Sequence, residues 1–156
     1  MELIQDLKEF IRLLEEHDVR YLLVGGVAVN ALGFVRMTED VDFWLERSEA
    51  NADRALAMLR EFGFGEFARE ELLDQDAVLM LGRPPNRIDL LTGISARDFA
   101  DCYERRVYGT IGGVRVPIIS LDDLLINKRA CGRPKDLADI DEFERRHRRG
   151  NEDAAN

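Results

Sequence analysis

The stretch Leu22–Leu45, LLVGGVAVNALGFVRMTEDVDFWL, constrains this chain more than any other. A short apolar run breaks at Gly25-Gly26, a small-residue segment follows, and after thirteen intervening residues Asp40-Val41-Asp42 stands inside a second apolar run. The pattern reads as strand, glycine turn, short helix, loop and strand. Period two places Asp40, Asp42 and Trp44 on one face of the second strand and Val41, Phe43 and Leu45 on the other. Two carboxylates converging beside a buried strand repel each other, and a hard divalent cation resolves the repulsion. Mg²⁺ suits such a place because it takes a few carboxylates together with phosphate oxygens and water. Glycines between a strand and a helix permit close backbone approach, and the unpaired N–H groups of the helix attract anionic oxygens. The acids are therefore expected to hold metal and the glycine turn to hold phosphate.

The rest of the chain reads as support for that stretch. Leu3, Leu7, Phe10 or Ile11, and Leu14 recur at helical spacing, so residues from about Glu2 to His17 form an amphipathic helix that lies on a sheet. Tyr21 to Val24 is a buried strand, and Val27 to Leu32 a short helix stopped by Gly33. Ala52 to Phe62 is a helix with Ala55, Leu56, Leu59 and Phe62 inward and Gly63 as its stop. Ala77 to Leu81 and Arg87 to Leu91 make a hairpin across the stretch 82–86, whose glycine and prolines favour reversal. The second arm carries Asp89, and if it lies beside the Asp40–Asp42 strand with the same face, a third carboxylate joins the pair and two metals can be held. A further β pair is expected from about Arg105 to Gly109 and from Val114 to Ile119, turning at Gly112-Gly113. Ser120 caps a helix running to about Ala130, and a last helix runs from about Lys135 to Arg148. The organisation is one domain over residues 1–149 with a polar, frayed tail over 150–156.

Bulk properties narrow the partners. The 156 residues support one domain with a real core. A net charge of −9 disfavours extended duplex nucleic acid, because the chain's own field repels a polyanion. Cys102 and Cys131 stand far apart and in no CxxC pair, which fits a reducing, cytoplasmic setting and not a disulfide framework. No run approaches the ~20 apolar residues of a membrane-spanning helix, so no membrane role is expected. One further residue stands out: Lys128 falls in the middle of its helix's apolar face, where a lysine must snorkel or meet an anion. Asp136 shares a face with Ile140 and Phe143 on the last helix and is an equal candidate partner for it.

With the glycine pair, the D-x-D strand and the later flanked Asp89 in place, the chain resembles the DNA polymerase beta-like nucleotidyltransferase superfamily over roughly Tyr21 to Leu91. The R-x-T-x-D-x-D form at Arg36, Thr38, Asp40 and Asp42, and the closing Lys128 with Arg133-Pro134-Lys135-Asp136-Leu137, are similar to small AbiEii-type nucleotidyltransferases. The resemblance implies an α/β (α+β) nucleotidyltransferase fold, a mixed sheet flanked by helices with two closing C-terminal helices. It implies that Asp40 and Asp42 bind one or two Mg²⁺ ions, that Asp89 assists or acts as base, and that Gly25 and Gly26 hold the triphosphate of an NTP. Arg36, Thr38 and Lys128 are the further nucleotide contacts. The activity implied is transfer of a nucleoside monophosphate to an acceptor hydroxyl, on tRNA or a protein as in a toxin–antitoxin pair, with an antitoxin as partner. The alternatives are an aminoglycoside- or lincosamide-type small-molecule nucleotidyltransferase and a non-catalytic nucleotide-binding module on the same fold. The chain lacks the larger carboxy-terminal region of the AbiEii-type toxins, so acceptor identity does not carry over.

Overall fold

We describe residues 3–31, 40–83 and 87–155 of a computed structural model. Helix α1 (Leu3–Glu16) leads into strand β1 (Tyr21–Val24), which passes directly into helix α2 (Gly25–Ala31). Strand β2 (Asp40–Leu45) and helix α3 (Glu49–Phe62) follow, then a short helix α4 (Arg69–Leu73) and the hairpin strands β3 (Val78–Leu81) and β4 (Arg87–Leu91). Helix α5 (Phe99–Glu104), strands β5 (Val107–Ile111) and β6 (Val114–Ile118), and the closing helices α6 (Leu121–Cys131) and α7 (Pro134–Ala155) complete the order.

The six strands form one mixed sheet in the order β3-β4-β2-β1-β6-β5. Strand β2 runs antiparallel to β1 and parallel to β4, and β1 runs parallel to β6. This topology puts β2, the strand of the two aspartates, between the glycine-bearing strand and the Asp89 strand. One face of the sheet is the core. Val41, Phe43, Ile88, Leu90, Leu79 and Leu81 are all buried there, and the Phe10 ring of α1 lies 5.2 Å from both Phe43 of β2 and Phe62 of α3. Leu7, Ile11 and Leu14 of α1 are buried as the helical spacing requires.

Local signals set most of the boundaries. Ser48 caps α3 by accepting from the Asn51 N–H, and Gly63, at φ 101°, closes it in the left-handed region where a side chain would be strained. Ser120 accepts from the Asp123 N–H at 3.2 Å, and Gly132, at φ 65°, ends α6. Four expectations shift. Helix α2 begins at Gly25 itself, because the chain turns from β1 into the helix without a linker. The β5 strand starts at Val107, two residues late, since α5 and its last turn occupy the preceding segment. The short helices α4 and α5 carry too few residues to show a period in the sequence. Finally, α7 continues to Ala155, well past Arg148, as a polar sequence free of proline allows. The expected stop at Gly33 and residues 84–86 of the expected turn over 82–86 lie outside the described residues.

Candidate active site

The site is built on the face of the sheet opposite the core. In the parallel pairing of β2 with β4, Asp40 stands opposite Arg87 and Asp42 opposite Asp89, so all four side chains point the same way. One carboxylate oxygen from each of Asp40, Asp42 and Asp89 lies within 4.8 Å of the others. The three acids expected to act together are thus brought together.

Arg87 was not singled out from the sequence, although it lies two residues before Asp89 and therefore shares its face. Its Nε donates to Asp89 Oδ1 at 2.8 Å, and its Nη2 donates to Asp89 Oδ2 at 3.0 Å and to Asp40 Oδ2 at 3.3 Å. The guanidinium forks onto one carboxylate and reaches a second, which offsets part of their mutual repulsion. Burial raises Asp42 above the ordinary carboxylate range, and the charges of Asp40 and Asp89 add to the rise, giving a pKa of about 7. Asp89 is raised by burial as well, while Arg87 pulls it back. A carboxylate held up by burial and by two neighbouring anions is a group that a dication would return to its ionised form.

Gly25 sits at φ 71°, and a Cβ there would overlap the Asp42 carboxylate. The glycine turn and the D-x-D strand are therefore in direct contact, which only a residue without a side chain allows. Gly25, Gly26, the three aspartates and Arg87 line a cavity of about 300 Å³, whose further wall is Lys128, Arg133 and Lys135 from the α6–α7 corner, with Val78 and Leu91 beside them. Acids on the floor and cations on the wall suit a metal-bound polyphosphate. The donor set, three hard carboxylate groups with room for other oxygens, fits Mg²⁺.

Lys128 is buried, with 3% of its surface exposed. Its Nζ donates to Asp139 at 2.9 Å and to Asp136 at 3.4 Å. Asp136, fully buried, also accepts from Arg133 Nε at 2.6 Å. Burial would raise Asp136, but the Arg133 and Lys128 charges outweigh it and hold the group below its ordinary value. Lys128 thus lines the cavity while its charge is committed to two acids of α7. Arg133 and Lys135, quoted in the sequence only as part of a motif, are brought to the same cavity. Arg36 and Thr38 lie outside the described residues. Trp44 packs edge-on against Phe99 at 5.1 Å, as a core residue of this face.

Comparison with known proteins agrees with this architecture. Among curated proteins none matches the chain. Among solved structures it is similar to the antibiotic-resistance factor ANT(2'')-Ia, at 14% identity and a TM-score of 0.56, over 97% of this chain and 96% of that one. A crystal structure of ANT(2'')-Ia with adenylyl-2''-tobramycin matches at 15% identity and a TM-score of 0.56, over 88% of this chain and 84% of the other. The lincosamide antibiotic adenylyltransferase LnuA, bound to lincomycin, matches at 15% identity and a TM-score of 0.55, over 90% of this chain and 95% of that one. These likenesses show the fold. A family model, nucleotidyltransferase of unknown function (DUF6036), matches residues 2–146, and the chain belongs to that nucleotidyltransferase family.

Proposed function

We propose that this protein transfers a nucleoside monophosphate from a Mg²⁺-bound NTP to a hydroxyl group of a small-molecule acceptor. The observation that carries the reading is the convergence of Asp40, Asp42 and Asp89 within 4.8 Å, in contact with the Gly25 turn and facing Arg133 and Lys135. Asp40, Asp42 and Asp89 would hold the metal, one ion or two, which when bound neutralises the triphosphate and polarises the α-phosphate. Gly25 and Gly26 let the backbone approach the phosphates, and Arg133 and Lys135 face their remaining charge. The acceptor oxygen forms the new bond to the α-phosphorus as the bond to the bridging oxygen breaks and pyrophosphate leaves. Asp89 takes the hydroxyl proton.

A small-molecule acceptor is supported by the net charge of −9, which opposes a polyanionic acceptor. It is supported also by the antibiotic-modifying neighbours, whose fold this chain shares over most of both chains. The second reading, a toxin acting on tRNA or protein with an antitoxin partner, draws on the AbiEii-like residues Lys128 and Arg133–Leu137, of which Lys128, Arg133 and Lys135 line the cavity. Cys102 and Cys131 are both free, which supports a reducing, cytoplasmic setting; among the described residues no helix is long and apolar enough to cross a membrane. Incubation with Mg²⁺ and α-phosphate-labelled NTP, against separate pools of aminoglycosides and lincosamides, tRNA and lysate protein, tests the reading. Label is expected in a small-molecule pool; label in tRNA or protein alone would replace it with the toxin reading, and bound NTP with no transfer to any pool would favour the non-catalytic one.

A further inference from the structure

Four adjacent strands set out the parts of the reaction in spatial order. From the sheet's middle towards one edge run β1, β2, β4 and β3. They carry, in turn, the Gly25 turn, the Asp40–Asp42 pair, Asp89 and two uncovered apolar side chains. Strand β3 is the edge strand, with Met80 paired to Asp89 and Val78 to Leu91. Directly opposed residues of an antiparallel pair point to the same face, so Met80 and Val78 stand on the side of the acids, while Leu79 and Leu81 enter the core. Met80 is 57% exposed and Val78 52% exposed, and Val78 also lines the acid cavity.

In-line displacement at phosphorus puts the entering and leaving groups on opposite sides. With the polyphosphate against the Gly25 turn, the entering hydroxyl comes from the Asp89 side, and the body of the molecule that carries it lies over the next strand. That strand is β3, one spacing of roughly 4.8 Å further out. We propose that Met80 and Val78 form the floor of the acceptor site, and that the acceptor is a small molecule whose reactive hydroxyl is flanked by an apolar face. Strand β3, Val-Leu-Met-Leu, bears no charge with which to hold a polycation. This inference rests on the nucleotidyltransferase reading above and adds the acceptor's chemistry to it.

The test uses the full chain with Mg²⁺ and α-phosphate-labelled ATP. Its probes are n-alkyl β-glucosides of increasing chain length, with glucose and the polycationic aminocyclitol neamine as comparisons. Labelling is expected to rise from glucose to hexyl glucoside and to exceed that of neamine. Met80→Ser and Val78→Thr, at exposed positions where the fold has little to lose, are expected to raise the KM for hexyl glucoside about tenfold. Met80→Ser should leave Mg·ATP affinity unchanged. Preference for neamine, an unchanged KM in both variants, or bound Mg·ATP with no glucoside labelled would each overturn the proposal. Failure of the parent protein to bind ATP in a metal-dependent way would instead refute the nucleotidyltransferase reading beneath it, and the two failures are told apart by that binding measurement.

Discussion

Gly25 and Asp42 are in contact across the β1–β2 pair, and a methyl group on Gly25 would occupy the space of the Asp42 carboxylate. The glycine turn and the D-x-D strand therefore depend on one another. Gly25→Ala is expected to lower stability by about 1–3 kcal/mol, from the strained φ of 71° and the overlap together. It should also reduce nucleotidyl transfer by more than the loss of folded protein explains, because Asp42 is pushed aside. Denaturant titration beside a transfer assay separates the two effects.

The raised pKa of Asp42, about 7 through burial and then the Asp40 and Asp89 charges, gives a pH dependence of defined sign. The unfolded carboxyl titrates near 3.9, so between about pH 4 and 7 the folded protein binds the extra proton and stability falls as pH rises. Without metal, Asp42→Asn should therefore be more stable than the parent at pH 8, by on the order of 2–4 kcal/mol if no other group responds. Added Mg²⁺ should reverse that order, and its affinity for the parent should weaken as pH falls below about 7. Melting curves at pH 5 and pH 8, with and without Mg²⁺, report both signs.

Arg87 holds Asp89 through two hydrogen bonds and reaches Asp40. Removing it leaves three carboxylates without that cation. Arg87→Ala is expected to destabilise the metal-free protein by roughly 1–3 kcal/mol, with most of the loss recovered when Mg²⁺ is added. Chemical denaturation in chelator and in Mg²⁺ measures the difference.

Lys128 and Lys135 line one cavity but have different surroundings. Lys128 is buried against Asp136 and Asp139, so Lys128→Met should cost about 2–4 kcal/mol of stability, since it strands buried acid charge. Its effect on NTP affinity should be smaller than that of Lys135→Ala, whose side chain is exposed and whose charge acts on Asp42. Calorimetric NTP titrations on the folded variants rank the two.

The sequence made the longer helices and the acid strand legible because each has a period or a cap, while α4 and α5 are too short to show a period. The i, i+2 spacing of Asp40 and Asp42 fixed a shared face, and Gly63, Ser120 and Gly132 mark helix ends that the structure has, whereas α3 starts at Glu49 under its Ser48 cap, ahead of the expected Ala52. The parallel partnership of β2 with β4, which brings Asp89 in, is a long-range pairing that no local pattern encodes. Arg87 obeys the same spacing rule, but by its neighbours it reads only as the start of an apolar run. Asn51 was hidden more deeply. It reads as an ordinary polar helix residue, yet it is fully buried and links Arg20 N–H, Arg20 C=O and Glu46 C=O, stitching the start of β1 to the segment after β2. Such a role depends on where two other segments end, and a single stretch of sequence does not carry that information. The α6–α7 corner was visible only as a motif, and its cations became site residues once Gly132 had turned the chain back over the sheet.

The most direct measurement is the melting temperature of the parent protein and of Asp42→Ala, each with NTP alone, Mg²⁺ alone and both together. Ligand binding to the folded state raises the melting temperature by an amount that grows with the logarithm of the ligand concentration over its Kd. The parent should show a rise with Mg²⁺ and NTP that exceeds the sum of the separate effects, and Asp42→Ala should lose that excess. An equal metal-dependent rise in the variant, or none in the parent, would contradict the assignment of Asp40, Asp42 and Asp89 as the metal site of a nucleotidyltransferase.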